Sequence, residues 1–178
     1  TIDFSGIDAA LVIDLGAGLY WGDFGQLAKA REVYARLAGE GPEADFARAL
    51  ALLEGVAPDP FGNLIAGSAR VPQDGSVRGC VIIDGELGRG RAEGAVVIRS
   101  RLEGFWLEPG SVAVDSVAAG LRLDARALAF ASRAPGFLRV PADHVHTSIP
   151  ADPRAERPAL ESWFCDARVN PGAAEHYE

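Results

Sequence analysis

His144 and His146 are the side chains of this chain best suited to move a proton near neutral pH, because an unperturbed imidazole titrates closer to 7 than any other side chain. Their alternation turns both to one side if the segment is a strand. Far upstream, the run Tyr20, Trp21, Gly22, Asp23, Phe24 and Gly25 sets aromatic rings beside a carboxylate, with glycines on either side of it. Cys80 and Cys165 lie far apart and share no metal-type spacing with His144, His146 or His176, so two free thiols are expected. A metal site built on His144 and His146 lacks a third ligand.

These residues have to be positioned by the rest of a 178-residue chain that is 48% hydrophobic, enough for one ordinary core or for a small domain joined to part of another. The net charge of −8 provides no general basic field for nucleic acid or an anionic membrane surface, and neither partner is expected. An anionic substrate would need a local group of cations, a metal or backbone amides. No apolar run reaches the roughly 18 residues that span a bilayer, and no basic-then-apolar leader opens the chain, so a cytoplasmic protein is expected. The first residue is Thr1 rather than Met, as expected for a processed or cut chain.

Ala9 to Asp14 reads as a buried strand stopped by Gly16 and Gly18, with a turn to follow. Leu27, Ala30, Val33, Tyr34 and Leu37 recur at helical spacing and predict a helix over Gln26 to Ala38, ended by Gly39. A second helix is predicted from Pro42 to Glu54, with Pro42 in its first turn and Phe46, Leu50 and Leu53 on one face. Pro58, Pro60 and Gly62 then mark a linker.

From Leu64 onward the sequence repeats with a period of sixteen. One column reads Leu64, Cys80, Val96, Val112, Leu128, His144, and two residues further on stand Ala66, Ile82, Ile98, Val114, Phe130, His146. Both columns are expected to face inward. A ninth column, Pro72, Gly88, Gly104, Gly120, Gly136, supplies turn formers at one corner of each coil. A second corner is expected at Asp74-Gly75, Glu93-Gly94, Pro109-Gly110, Asp124-Ala125 and Pro141-Ala142. Phe105 and Leu107 lie sixteen residues before Leu121 and Leu123, so apolar side chains stack on their equivalents. Arg89 and Arg91 occupy the corresponding places one coil earlier and predict a bulge or a contact with another domain there. Stacking gives each coil the apolar and hydrogen-bonding neighbours it cannot find alone. The fold expected is therefore mainly β, a parallel β-helix of about five 16-residue coils over residues 57–150, preceded by a small α/β segment with two helices over residues 1–56 and followed by an extended tail over residues 151–178. A β-sandwich is the alternative, and it leaves the column agreement to chance.

The run Tyr20 to Gly25, followed by a helix, resembles the Tyr-Trp-x-Asp-x-Gly segment near the end of the catalytic domain in ADP-glucose pyrophosphorylases and related sugar-1-phosphate nucleotidylyltransferases. In that family a helix, a linker and a left-handed parallel β-helix follow the segment. The resemblance implies that the chain is the C-terminal part of an enzyme that joins a nucleoside triphosphate and a sugar 1-phosphate into a nucleotide sugar and pyrophosphate. It implies that Asp23 is catalytic and holds Mg²⁺, that Tyr20 and Trp21 line the substrate site near the sugar, and that the β-helix supports, regulates or oligomerises the enzyme as a homo-oligomer. Carboxylate oxygens suit that hard cation. Asp23 as a cap of the helix beginning near Gln26 is the structural alternative. The family's glycine-rich nucleotide loop, its following arginine and its first metal aspartate are absent, and the Gly88, Gly90 and Gly94 spacing falls inside the repeats. Sugar phosphate and nucleotide would be bound through a missing catalytic region, and these residues alone are expected to be inactive.

Many β-helix proteins of the hexapeptide class are acyltransferases whose histidine deprotonates the acceptor between subunits, which makes His144 and His146 the alternative candidate bases. Their structural reading is a polar cap at the open end of the stack. A non-enzymatic scaffold or effector-binding module is a third reading. Trp106, between Phe105 and Leu107, is expected on the outer surface with Arg122 as its equivalent one coil later, either stacked on a guanidinium or anchoring another domain or subunit.

Overall fold

The computed structural model describes residues 10–14, 19–23, 27–150 and 159–167, with side chains over residues 30–148 and 159–167. Strands β1 (Ala10–Asp14) and β2 (Leu19–Asp23) form a two-stranded antiparallel ribbon. Helix α1 (Leu27–Ala35) tightens into a 3-10 turn (Arg36–Ala38). Helix α2 (Pro42–Leu50) begins at its proline, with Glu43 and Asp45 favourably placed in its first turn. It stops four residues short of the predicted Glu54, because Leu52 takes a left-handed conformation (φ 56°) that an α-helix cannot contain. Arg48 ties the two helices together by donating from Nε to the Leu37 carbonyl at 2.9 Å and from a terminal nitrogen to that of Gly39. No described helix is long and apolar enough to cross a membrane.

The remaining strands build a parallel β-solenoid of about five coils. Short strands β3 (Leu64–Ala66), β5 (Val81–Ile83), β7 (Val96–Ile98), β9 (Val112–Val114) and β11 (Leu128–Phe130) pair in parallel into one sheet. The two-residue β4 (Val77–Arg78) and the longer β6 (Glu86–Glu93), β8 (Arg101–Leu107), β10 (Val117–Leu123) and β12 (Arg133–Val140) form the other. Within β8 the inward residues are Leu102, then Phe105 and Leu107, and within β10 Ala118, then Leu121 and Leu123. The step of three places a bend at Gly104 and Gly120, so these glycines mark a corner although the ladder runs through them. The other corners are left-handed residues. Asp84, Arg99, Asp115 and Ala131 follow the short strands, while Gly79, Gly94, Gly110, Arg126 and Asp143 precede them. The second set lies downstream of the predicted second corner in several coils.

Coil length varies where the sequence period was uniform. Leu64 stacks on Val81, Val81 on Val96, Val96 on Val112, Val112 on Leu128 and Leu128 on Val145. Cys80 and His144 therefore fall one residue ahead of the column assigned to them. In the second coil the same slip places Gly90, not Arg89, beneath Phe105, and Ala92 beneath Leu107. A one-residue shift exchanges the two faces of a strand. Arg91 thus points outward with Trp106, and no bulge is needed to accommodate it. Gly90 makes room for the Phe105 ring, since a Cβ there would run into the Phe105 carbonyl and ring.

A second correction concerns which face is inside. The interior of the coils is lined by Ile82, Val97, Ala113 and Ala129 opposite Leu102, Phe105, Leu107, Leu121 and Leu123. Val96, Val112, Val114 and Leu128, expected inside, lie on the other face of the short-strand sheet, in a separate core with Leu37 and Leu53 of the helical segment. Ile98 packs at the edge of that core, and Phe130 is 42% exposed. At the start of the stack, buried Asn63 donates to Asp59 and the Val77 carbonyl and accepts from the Cys80 amide. At the far end, β13 (His144–Pro150) continues the short-strand sheet, and β14 (Leu160–Asp166) closes it in antiparallel pairing.

Candidate functional site

The motif residues Tyr20, Trp21 and Asp23 lie in β2, opposite Ile13, Val12 and Ala10 respectively. Their side chains, and residues 24–26, are outside the described residues. Asp23 ends its strand four residues before Leu27 opens α1. Whether Asp23 caps α1 therefore lies outside the described residues. One carboxylate does not make a magnesium site, and among the described residues no group of three or more His, Cys, Asp or Glu could hold a metal.

Helix α1 is fastened to the solenoid by a polar clamp as well as by the packing of Tyr34 and Ala35 on the short-strand sheet. Arg31, its side chain only 12% exposed, donates to the Asp143 carboxylate at 3.1 Å and to the Arg126 carbonyl at 3.3 Å. Arg126 holds the same carboxylate bidentately at 2.9 and 2.7 Å. That pairing holds the Asp143 carboxyl below the usual carboxylate range. Asp143 and Arg126 are both left-handed corner residues of adjacent coils, so the backbone that turns the coil also aims the clamp.

His144 and His146 part company in the fold. His146 takes the interior column beneath Ala129 and is 1% exposed, while His144 is half-buried with Nδ1 2.9 Å from the Ala142 carbonyl oxygen. The Ser132 hydroxyl lies 2.7 Å from His146 Nδ1, the other ring nitrogen is buried without a partner, and the Phe164 ring meets the imidazole edge-on at 4.6 Å. Burial pushes the His146 imidazole below its ordinary pKa. Ser132 ends a ladder in which the Ser116 amide donates to Ser100 Oγ and the Ser132 amide to Ser116 Oγ. His146 thus occupies the interior at the end of this ladder. Sequence reading missed the serines, although Ser100, Ser116 and Ser132 stand sixteen apart.

Trp106 is exposed at 47%, as alternation required, with the Arg91 guanidinium 5.9 Å from its ring. On the same face Asp124 accepts from Arg139 and from Arg122, and these bonds lower its pKa. Comparison with protein-family models, curated proteins and solved structures gave no match for the chain in any of the three.

Proposed function

We propose that this chain is the C-terminal region of a sugar-1-phosphate nucleotidylyltransferase, in which the solenoid supports the end of a catalytic domain and contributes to a homo-oligomer. The observation that carries the reading is the junction. A strand bearing Tyr20, Trp21 and Asp23 leads within four residues into a helix that Arg31 fastens to the solenoid corner at Asp143. That arrangement suits a rigid support for a loop that must hold a metal carboxylate still. Exposed Phe137, Leu160 and Phe164 near the end of the stack favour contact with another subunit.

The test is the product of the complete gene, assayed for magnesium-dependent pyrophosphate release from nucleoside triphosphates and a panel of sugar 1-phosphates. Asp23→Asn keeps the size of the side chain and removes the charge, so turnover should collapse while the melting curve is unchanged. Parent-like turnover by that variant at limiting magnesium defeats the metal role, and no pyrophosphate release by the parent defeats the whole reading. Acyl-CoA binding by the isolated chain would instead favour the acyltransferase reading.

A further inference from the structure

We propose that β14 is a hinged strap over the end of the stack that opens in mild acid, with His146 beneath it as the trigger and Ala167 as the hinge. The interior column runs Ala113, Ala129, His146, and Phe164 of β14 lies opposite His146 in register. Its ring meets the imidazole edge-on at 4.6 Å, and β14 is the last strand of the short-strand sheet among the described residues. Phe164 is therefore the ring that closes the interior at this end.

The strap is held lightly along its length and firmly at one end. Leu160 to Phe164 are all exposed, so β14 buries little beyond its backbone ladder with β13 and the inner edge of Phe164. Ala167, by contrast, is buried in the same core as Leu37 and Leu53, and its amide donates to the Asp143 carbonyl at 2.8 Å. A strand fixed at one end and exposed along the rest opens locally, by pivoting at the fixed end. Opening bares the outer edge of β13 and the end of the interior.

Protonation turns both ring nitrogens of His146 into donors. Ser132 Oγ, 2.7 Å away, can accept from Nδ1, but Nε2 is buried without a partner, and an unpaired buried cation is costly. The surrounding elements supply no acceptor. Leu128–Phe130 of β11 carries no charge, and the cations Arg133 and Arg139 of β12 are committed to the Asp115 and Ser132 carbonyls and to the Asp124 carboxylate. On β14, Glu161 and Cys165 alternate onto the face opposite Phe164, while Asp166 stands at the end of the ladder, opposite His144. His144 keeps its Nδ1 at the Ala142 carbonyl. Burial alone lowers the affinity of His146 for a proton, and lifting β14 removes the Phe164 ring and gives the imidazolium water. The open state takes up its proton near the ordinary imidazole pKa of about 6.5 and the closed state only at lower pH, so opening becomes more favourable as pH falls below about 6.5, by up to about tenfold per pH unit.

Hydrogen exchange of the 178-residue chain is followed by mass spectrometry at pH 7.5 and pH 5.5, with rates corrected for the intrinsic pH dependence of amide exchange. Expected is a loss of protection of about five- to tenfold in β14, with β8, β10, α1 and α2 unchanged. His146→Leu, which cannot titrate, should lose this pH dependence, and His144→Gln should keep it. Phe164→Ala should loosen β14 at pH 7.5 already. Melting curves at pH 7.5 check that each variant is folded, and His146→Gln replaces His146→Leu if that variant is not. Equal protection of β14 at both pH values overturns the proposal, as does the same loss in the His146 variant or its disappearance in His144→Gln. A loss that spreads to α1 and α2 overturns Ala167 as the hinge, one that includes β8 and β10 replaces the strap with global unfolding, and parent-like protection in Phe164→Ala overturns Phe164 as the seal.

Discussion

Val112 and Ala113 are neighbours with no exposed surface, yet a charge at each should act in different ways, because they face different cores. Ala113 points into the coils, stacked between Val97 and Ala129 of the coils on either side. A carboxylate at Ala113→Asp has no route to water while the stack persists, and an unpaired buried charge costs more than about 4–5 kcal/mol. That is comparable with the roughly 5–15 kcal/mol that holds a domain of this kind together. Val112 faces Leu37 and Leu53, so Val112→Asp can regain water if the helical segment lifts off. Lifting exposes those two leucines, roughly 3–6 kcal/mol before the entropy released by the segment offsets part of it. The expected outcome is global loss of amide protection in Ala113→Asp. In Val112→Asp, protection should be lost over residues 27–56 while β8 and β10 stay protected, as read by hydrogen exchange with mass spectrometry. A melting temperature for Ala113→Asp within about 2 °C of the parent, less than about 1 kcal/mol in a chain of this size, would refute the assignment of faces. So would equal deprotection of β8, β10 and the helices in Val112→Asp.

The acid response should come in two stages. Burial lowers the His146 pKa, so the folded state binds its proton less readily than the unfolded chain. The stability due to neutral His146 is therefore complete above about pH 6.5 and is lost as pH falls from there. His146→Leu should remove this first stage, and an unchanged stability–pH curve between neutral and mildly acid pH would count against it. Asp115, Asp124 and Asp143 have lowered pKa values through Arg99, Arg139 and Arg126, so their contribution is intact above the ordinary carboxylate pKa near 4 and lost below it. Asp143→Asn should cost about 1–2 kcal/mol after allowance for the partly exposed arginines, and a double-mutant cycle with Arg31→Ala should show coupling. Additive losses there would mean that the clamp does not fasten α1.

The repeat, the stacking of Phe105 on Leu121 and Leu107 on Leu123, the corner at Gly104 and Gly120 and the outward Trp106 were all legible in the sequence, because each depends only on the spacing of side-chain types along the chain, whereas Arg89 and Phe137 rather than Gly88 and Gly136 stand at that corner in the neighbouring coils. The helices were legible for the same reason, except that nothing in Ala51 to Glu54 announces the left-handed Leu52 that ends α2 early. Alternation could not tell which face of Val96-Val97-Ile98 is inside. Both faces are apolar, since one packs in the coils and the other under the helices, and only the docking of Leu37 and Leu53 makes the distinction. Nor could a uniform period reveal the short second coil, where one residue fewer turns Arg91 outward, or the long last one, whose extra residue brings His146 into the interior column. The clamp of Arg31 on Asp143 and the contact of Phe164 with His146 join residues more than one coil apart in sequence. Only the tertiary structure decided these, because the register of one coil on the next is set by how corners and side chains pack, while sequence spacing gives the order of residues within each coil.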